Sequence, residues 1–476
     1  MTFLQQANQA LQNKNYGEAI PLYVQALQQH PPLAHVLLGN LQYAQRAYRK
    51  LRAQQAAMYP HVQVCAWDLS HNAAGRAATL AQIWSGIGHA EVIGCLYPPH
   101  KSQIWEPIQE FSLPIHPLQI NAEQSFIHQA LRFVLKHPCD VLHLSKPRFP
   151  NILLGLLYKL VWACPVIMDV DDEELAFVKA DSPIDLGEYL KSGGVLPLST
   201  DSLSSAVSTR LAVGLATAFD QVTVVNPALQ QRYGGTIVHH ARDGAHFAPS
   251  ADRRRQVREK LGIKAEDIVF VFAGTPRAHK GLLETAQAIV QQGRNDLVFL
   301  IAGDFPENLN SLQQQIANMP GLRSIMLPNQ PFEKLPDVLA AGDICVLLQD
   351  ASSDVAKYQT PAKLTDALAM GLTVLATPTP SLADFALQSA LIPVVGDQLP
   401  QVLASILVNR QLQPVTDPAS HPLFKQQLTI SANQVTLSKL WCEAVQSASQ
   451  GLNTRLQDIA LGAQEISSIT ALSSER

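Results

Sequence analysis

The sequence predicts an α/β protein with two doubly wound, Rossmann-like domains that face a cleft, preceded by a small helical module. Two observations predict this fold. From His61 onward, short apolar runs alternate with helical patterns, as in a parallel sheet covered on both faces. The alternation begins again after a basic run at residues 253–255, which indicates a second sheet domain. A chain of 476 residues, 47% of them hydrophobic, can supply two or three domains with large cores.

Composition and charge argue against several classes of protein. The net charge of −4 gives no overall positive field, so we expect no nucleic-acid partner. The six cysteines include no Cys-x-x-Cys pair, which favours reduced thiols over disulfides or zinc. Residues 1–12 do not resemble a signal peptide, and Lys159 and Pro165 interrupt the apolar run at residues 152–168. We therefore expect a cytoplasmic protein in which this run forms a buried helix and a strand.

Residues 1–58 are predicted to form the helical module. Apolar residues recur at helical spacing from Ala19 to Leu27, and Pro31 ends that helix. The segment at residues 15–31 resembles one tetratricopeptide repeat, but the sequence holds no second full copy, and a stack normally needs about three. We interpret the module either as a docking site for a protein partner or as a helical cap on the next domain.

The first sheet domain is predicted at residues 59–248. Its predicted strands are 62–66, 91–97, 140–144, 165–170 and 221–225. Ligands of such sheets bind at the carboxyl ends of strands, so we expect them near the loops after Ala66, Leu144 and Met168. The segment at residues 175–201, rich in Gly, Pro and Ser, is interpreted as a substrate lid or as an exposed insertion.

The second sheet domain is predicted at residues 249–412. Its predicted strands are 268–273, 297–302, 344–348, 373–376 and 391–394. Helices at residues 413–450 are expected to pack back on the first sheet domain, and residues 451–476 to form a flexible tail or linker. The basic run at residues 253–255 is interpreted as a solvated helix face or as a weak attraction to anionic lipid. At most a peripheral membrane contact is expected.

One strand, loop and helix, at residues 269–290, form the clearest ligand-binding pattern. The apolar strand leads into Gly274, which permits a sharp turn, and the loop carries Arg277 and Lys280 just before a helical pattern. A helix N-terminus attracts anions through free N–H groups and its dipole, and added cations strengthen that attraction. The loop therefore predicts a phosphate site.

Three further segments lie at the ends of predicted strands or helices in the same domain. They are Gly303-Asp304, Ala341-Gly342-Asp343 and the run Asp366-Ala367-Leu368-Ala369-Met370-Gly371. In this order and spacing, the four segments resemble the donor-site motifs of the retaining glycosyltransferases of family 4, which have the GT-B fold. The resemblance is good over residues 268–380 and loose over residues 61–450. It implies transfer of a sugar from a nucleoside-diphosphate sugar to an acceptor hydroxyl, with retention of configuration.

The resemblance also implies roles for individual residues. Those that would hold the donor diphosphate are Gly274, Thr275, Arg277 and Lys280. Those that would contact the ribose or the transferred sugar are Asp366, Lys363, Tyr358 and Gln359. The expected partners are a nucleotide-sugar donor and a glycan, lipid-linked or protein acceptor. No cofactor and no bound metal are expected, since cations and a helix end would stabilise the departing diphosphate.

Two positions depart from the family pattern. Tyr358 stands where a Glu commonly contacts the transferred sugar, and Asp171 lies nearest to a position where many members have His. A carboxylate at Asp171 could orient an acceptor hydroxyl or face the developing positive charge. Asp171 and Asp169 are therefore candidate catalytic residues, together with His143.

The acidic cluster at residues 169–172 has other interpretations. One is the metal-binding Asp-x-Asp of GT-A glycosyltransferases, and another is the nucleophile pair of haloacid-dehalogenase-type phosphatases. Neither explains the second sheet domain. A third interpretation is a loop that caps a helix.

Two loops of the first sheet domain are candidates for binding the acceptor or a phosphate. The loop after the first strand offers Asn72, Gly75 and Arg76, at the place where the family has a glycine-bearing loop. Lys146 and Arg148 follow another strand and add two cations. The alternative for these two cations is an ordinary surface salt bridge.

Two other functions stay open from the sequence. Tyr358 and the missing His are compatible with an inactive GT-B scaffold that docks partners through the helical module. A GT-B nucleotide-sugar 2-epimerase is the second alternative. Because no Gly-x-Gly-x-x-Gly follows a predicted strand, a dinucleotide-dependent oxidoreductase is disfavoured.

Overall fold

The computed structural model describes residues 2–98, 101–109, 111–277, 280–412 and 419–451. The tail predicted at residues 451–476 therefore lies outside the described residues except for its first residue. The first six residues of the predicted C-terminal helical segment, 413–418, also lie outside them.

The N-terminal module contains helices that pack side by side. They are α1 (Phe3–Gln12), α2 (Tyr16–Gln29) and α3 (Ala34–Ala56). Helix α3 attaches the module to the first sheet domain, because Gln45 donates hydrogen bonds to the carbonyl oxygens of Leu160 and Val161. Arg49 donates another to the carbonyl oxygen of Trp162, over 2.7 Å. The tetratricopeptide resemblance stays a prediction, since this arrangement suits a repeat and a cap equally.

The first sheet contains strands β1 to β7, which lie in the order β3-β2-β1-β4-β5-β6-β7 and pair in parallel. The strands are β1 (His61–Ala66), β2 (His89–Leu96), β3 (Ile115–Gln119), β4 (Val141–Ser145), β5 (Val166–Val170), β6 (Gln221–Val224) and β7 (Thr236–Ile237). The helices between and beside them are α4 (Ala74–Ser85), α5 (Phe126–Lys136), α6 (Phe149–Trp162), α7 (Glu174–Phe177), α8 (Leu186–Lys191), α9 (Ala206–Gly214) and α10 (Pro227–Tyr233).

The second sheet is also parallel and has the order β10-β9-β8-β11-β12-β13. Its strands are β8 (Ile268–Ala273), β9 (Leu297–Ala302), β10 (Arg323–Leu327), β11 (Ile344–Leu347), β12 (Thr373–Ala376) and β13 (Ile392–Pro393). Its helices are α11 (Ala251–Lys260), α12 (Leu282–Val290), α13 (Asn310–Ala317), α14 (Leu335–Ala340), α15 (Asp354–Tyr358), α16 (Ala362–Ala369), α17 (Ala383–Leu387) and α18 (Leu399–Leu412). Both orders follow the doubly wound arrangement, so the predicted fold class is confirmed.

The last helix, α19 (Ile430–Gly451), returns to the first sheet domain. Its residues Leu437, Leu440 and Trp441 share an apolar core with Trp84 of α4. Just before the helix, Thr429 forms a short parallel bridge with Arg242, which lies near the crossing between the two sheet domains. The C-terminal end of the described chain thus completes the core of the domain that comes first.

The basic run at residues 253–255 lies on α11. Arg254 is paired with Asp343 over 2.7 Å, and Arg255 is paired with Asp252 of the same helix over 2.7 Å. Arg258, one turn further on, is buried and also contacts Asp343. Arg254 and Arg258 therefore use their charge in ion pairs within the second sheet domain. Within the part of the chain that the structure describes, no helix has the length and apolar character needed to span a membrane.

The predicted lid contains the short helix α8 and packs against α9. Arg210 of α9 donates a hydrogen bond to the carbonyl oxygen of Ser182, and the backbone N–H of Ile184 donates to the carbonyl oxygen of Arg210. These bonds hold one end of the segment on the domain surface. Its role as a lid stays a prediction.

Candidate functional site

The candidate site lies where the strand ends of the first sheet meet the loops of the second. Asn226, which follows β6, donates hydrogen bonds to the carbonyl oxygen of Tyr358 over 2.7 Å and to the hydroxyl of Thr360 over 3.0 Å. Asp172, which follows β5, accepts a hydrogen bond from Gln359 over 2.9 Å. Residues 358–360 therefore join the two sheet domains beside the cleft.

Three cations gather at the loop that follows β8. Lys280 is half-buried and its Nζ donates to the carbonyl oxygen of Thr275 over 3.2 Å. Burial and the nearby charges of Lys363 and Arg277 lower the pKa of Lys280 to about 7. Arg277 is exposed, whereas burial lowers the pKa of Lys363 as well. Among the described residues, no carboxylate forms an ion pair with any of the three, so this charge is available to an anionic ligand. The loop residues 278 and 279 lie outside the description.

Two glycines allow the loops after β8 and β9 to approach these cations. Gly274 has φ 121°, and a Cβ there would lie 2.8 Å from Nζ of Lys363. Gly303 has φ 149°, and a Cβ there would lie 2.3 Å from the carbonyl oxygen of Gly274. Both positions combine a backbone conformation that suits glycine with a close neighbour. Helix α12 begins two residues after Lys280, so its N-terminal end lies at the same loop.

Lys363 and Asp366 both lie on α16, but the structure gives them different surroundings. Lys363 was predicted on the ribose side, whereas its Nζ lies against Gly274 and 4.9 Å from the ring centre of Phe272. Lys363 therefore lies beside the cations of the loop after β8, and its predicted contact with the ribose or the sugar stays a prediction. Asp366 is buried and its Oδ1 accepts a hydrogen bond from Nε of Arg242 over 2.6 Å. Burial raises the pKa of Asp366, and Arg242 offsets part of that effect.

Tyr358 and Gln359 lie at the joint between the domains. The ring of Tyr358 packs under the guanidinium of Arg232, which is 5.4 Å from the ring centre and is itself paired with Glu173 over 2.7 Å. Gln359 donates to Asp172, as described above. In this arrangement both side chains contact the first sheet domain. Their predicted contact with the transferred sugar, like the ribose contact of Asp366, stays a prediction.

Asp171 lies in a compact group of opposite charges behind this joint. Nζ of Lys146 is 2.7 Å from Oδ1 of Asp171 and 2.5 Å from Oδ2 of Asp172. Burial raises the pKa of Asp171 to about 7. The negative charges of Asp172 and Asp169 contribute to this rise in the pKa, whereas the positive charge of Lys146 opposes it. A carboxyl group with a pKa near neutrality can exchange a proton at physiological pH. Asp171 thus remains the candidate for general acid or base work, with Lys146 as its partner rather than a free phosphate ligand.

Arg76, Asp169 and His143 were predicted as site residues, but the structure places them in a closed buried network. Arg76 holds Asp169 with two hydrogen bonds of 2.8 and 2.9 Å, and both side chains are buried. Trp84 donates to Nδ1 of His143, whose Nε2 contacts the hydroxyl of Thr223.

Hydrogen bonds link the members of this network to one another. The hydroxyl of Thr223 donates to Asp169 over 2.7 Å, which completes the chain of hydrogen bonds that began at His143. Burial lowers the pKa of His143 to about 4, so its ring stays neutral. In this structure Arg76 and Asp169 neutralise each other away from solvent, and their predicted roles as an acceptor-loop cation and a catalytic acid stay predictions. These residues hold α4, β4, β5 and β6 together.

The remaining predicted residues of the acceptor loops differ in exposure. Asn72 is exposed beside His71, and Gly75 lies under Trp105, whose ring atom would be 3.3 Å from a Cβ. Arg148 forms an ion pair with Glu174 and lies 5.2 Å from the ring centre of Trp67. For Arg148, the alternative of a structural salt bridge describes the geometry better than a free phosphate ligand.

Comparisons with known proteins add to this geometry. Residues 266–406 match the family model described as "Glycosyl transferases group 1". This segment of the second sheet domain is similar to that family. A comparison with curated proteins gave no match.

Solved structures with the same fold cover most of the chain. Anabaena Alr3699/HepE in complex with UDP and glucose has a TM-score of 0.60 at 14% identity, covering 81% of this chain and 100% of that one. A glycosyltransferase from Rickettsia africae has a TM-score of 0.57 at 11% identity, covering 81% and 98%. Sucrose-phosphate synthase from Thermosynechococcus elongatus has a TM-score of 0.52 at 15% identity, covering 80% and 98%. At these identities the likeness establishes the GT-B fold, and with the family match it supports sugar transfer.

Several residues of the joint escaped sequence analysis. Asn226 contacts Tyr358 of the second sheet domain, and Glu173 pairs with Arg232, whose guanidinium lies over the ring of Tyr358. Nothing in their local sequence indicates these neighbours. The clearest available signal was the sequence Asn226-Pro227 after a strand, which marks a capped helix start facing the cleft. Near the crossing between the domains, Arg242 bridges to Asp366.

Proposed function

We propose that this chain is a glycosyltransferase that moves a sugar from a nucleoside-diphosphate sugar to an acceptor hydroxyl. The observation that carries the proposal is the group formed by Arg277, Lys280 and Lys363. None of the three forms an ion pair with a carboxylate among the described residues, although the charge of Asp366 acts on Lys363. It lies at the carboxyl end of β8, within the segment that matches the glycosyl transferases of group 1. Alr3699/HepE, which shares the fold, was crystallised with UDP and glucose, and this supports a nucleotide-sugar donor here.

The chemistry that we propose for this group concerns the leaving diphosphate. Cleavage of the sugar–phosphate bond places negative charge on the nucleoside diphosphate, and cations fixed before the reaction stabilise that charge without reorganising. Arg277 and Lys280 lie just before α12, whose N-terminal end adds free N–H groups. We propose that these groups supply the positive charge for transfer, so that the reaction proceeds without a metal ion, and that configuration is retained as in family 4.

Binding of nucleoside diphosphates tests this proposal directly. We expect UDP, ADP or GDP to raise the melting temperature of the wild-type protein, and Lys280→Ala to weaken that ligand about 10- to 100-fold, since a charged hydrogen bond contributes about 1.5–3 kcal/mol. Arg255→Ala is the matched control, because Arg255 is an exposed cation outside the cleft. If no nucleoside diphosphate stabilises the protein, or if Lys280→Ala binds as tightly as the wild type, the donor site is wrongly assigned.

A non-catalytic role is the second candidate. It is favoured by the engagement of Tyr358 and Gln359 in the joint between domains, where a sugar-contacting side chain was expected. Release of nucleoside diphosphate from a bound nucleotide sugar separates the two functions. An enzyme hydrolyses the nucleotide sugar slowly even without its acceptor, because water then takes the sugar, whereas a scaffold binds the nucleotide sugar and leaves it intact.

A further inference from the structure

A second polar cluster lies at the amino ends of β1, β2 and β3, whereas the cleft lies at the carboxyl ends of the strands. His61 and His89 begin β1 and β2 and are register partners across the parallel pair. Glu91 lies two residues after His89, so both side chains are on the same face of the sheet. His116 of β3 is the register partner of Ile93 and therefore lies on that face as well. The sheet itself brings the four side chains together.

The ligand atoms of this cluster converge on a small volume. Nε2 of His61 is 3.0 Å from Oε2 of Glu91, and Nε2 of His89 is 3.1 Å from Oε1 of the same residue. One ligand atom from each of these residues lies within 4.8 Å of the other two. A tetrahedral zinc ion with bonds of about 2.0–2.1 Å separates its ligand atoms by about 3.3 Å. Small side-chain rotations would therefore bring the three residues into zinc-binding geometry.

We propose that His61, His89 and Glu91 form a binding site for a zinc-like divalent transition metal. Two neutral imidazoles and one carboxylate are a donor set that such ions prefer. His116, with Nε2 3.6 Å from Oε1 of Glu91, is placed to supply a fourth ligand. The side chain of His89 is 54% exposed, so an ion can enter from solvent.

The same cluster is linked to the attachment of the helical module. The backbone N–H of His61 donates to Oδ2 of Asp140 over 2.9 Å, and that oxygen also accepts a hydrogen bond from Arg52 of α3 over 2.5 Å. A metal that fixes the start of β1 would therefore also stabilise this junction. We expect the metal to have a structural role, because the site lies at the amino ends of the strands, away from the proposed donor loop. It is independent of the proposed transfer reaction.

Zinc binding by the untagged full-length chain tests the proposal. With Zn²⁺ alone and a chromophoric chelator as competitor, we expect one ion per chain and a rise in melting temperature. Glu91→Gln and His89→Asn should each weaken zinc binding by about 10-fold or more. Even residues that only support a metal ligand contribute about 10- to 100-fold to metal affinity, and these two are proposed ligands. His128→Asn is the control, because His128 is exposed on α5 outside the cluster and should leave binding unchanged.

Addition of Co²⁺ in place of Zn²⁺ gives an absorption signal from the wild-type protein itself, so this test does not depend on how well the Glu91 and His89 variants fold. A four-coordinate site gives intense visible absorption, which should appear at one equivalent of Co²⁺ in the wild type and in His128→Asn. Simple imidazole–carboxylate hydrogen bonds would explain the cluster instead if this band is absent. Unchanged Zn²⁺ affinity in both Glu91→Gln and His89→Asn would likewise overturn the proposal.

Discussion

At the scale of the residue, the cations of this chain fall into two kinds. Arg76 and Arg258 are buried and paired with carboxylates, so their charge is used within the fold. Arg277, Lys280 and Lys363 lie close enough to one another to lower the pKa of Lys280, without a carboxylate partner among the residues described. Replacing a cation of the first kind should affect stability, whereas replacing one of the second kind should affect ligand binding.

Binding of nucleoside diphosphate at the proposed site is expected to depend on pH through Lys280. In the free protein its pKa is about 7, because burial and two neighbouring cations disfavour the ammonium form. A bound diphosphate favours that form, so binding should take up protons, and affinity should fall as the pH rises from 7 towards the ordinary lysine value. Calorimetric titration at pH 8 in two buffers of different ionisation enthalpy measures this uptake.

The matched variant for this titration is Lys280→Arg, which keeps the positive charge but does not titrate in this range. We expect it to bind nucleoside diphosphate with little proton uptake at pH 8. Equal uptake in the variant and the wild type would assign the titration to another group.

At the scale of the element, the central strands of each sheet could be predicted from sequence, whereas three of the four edge strands could not. Strands β8, β9 and β12 are continuous apolar runs between turn signals, and their predicted bounds match the structure. Strands β3, β7 and β10 were not predicted. The first contains Pro117, the second has only two residues, and the third is half-buried along its whole length, so none has the apolar pattern of a central strand.

The candidate site divides in the same way. The loop after β8 is local in sequence, so Gly274, Arg277 and Lys280 could be singled out without knowledge of the fold. The closed network of Arg76, Asp169 and His143 could not be recognised, because its members come from different elements and only tertiary packing pairs them. Sequence identified polar residues near strand ends but could not tell which of them would neutralise one another.

Helix α11 offers a direct comparison between a buried and an exposed arginine. Arg258 donates to Asp343 and to carbonyl oxygens including those of Ala341 and Lys264, and it is only 4% exposed. Arg258→Ala should lower the free energy of unfolding by about 3–5 kcal/mol, because it leaves buried acceptors without their donor. Urea denaturation followed by circular dichroism measures the change.

The control on the same helix is Arg255→Ala, whose only described ion pair is with the exposed Asp252. This variant should unfold at the urea concentration of the wild type. If both variants were equally stable, the contacts of Arg258 would contribute little. Binding of the wild type to anionic vesicles that Arg255→Ala loses would support the alternative, a lipid-attracting face.

At the scale of the whole molecule, side-chain contacts close the cleft between the sheet domains. Asn226, Asp172 and His240 of the first sheet domain bond to Thr360, Gln359 and Thr365 of the second, respectively. Asp172 and Asn226 follow the ends of β5 and β6, on the side of the sheet where the proposed donor and acceptor would meet. Because contacts between domains form and break together with domain movement, they are expected to govern closure more than donor affinity.

Asn226→Ala tests this expectation. The substitution removes the two hydrogen bonds to Tyr358 and Thr360, together with the cap that Asn226 Oδ1 gives the backbone N–H of Leu229. It leaves the cations of the proposed donor loop untouched. We expect the affinity for nucleoside diphosphate to change by less than about 2-fold and the rate of sugar release or transfer to fall about 10-fold, since closure assembles the reacting groups. Calorimetry and a nucleotide-release assay provide the two measurements.

The matched control for Asn226→Ala is Gln230→Ala, which removes an exposed side chain from the same helix, α10. It should behave as the wild type in both assays. A large loss of nucleoside diphosphate affinity in Asn226→Ala alone would mean that the joint shapes the donor site itself.

The return of α19 to α4 has a consequence for how the chain folds during synthesis. The core beside α4 needs Leu437, Leu440 and Trp441, which are made more than 350 residues after Trp84. Until they leave the ribosome, the first sheet domain exposes an apolar surface, although its own strands are complete. Such distant contacts slow folding and lengthen the time during which chaperones can bind or nascent chains can associate. Release of a soluble, compact first domain is therefore expected only after nearly the whole described chain has been translated.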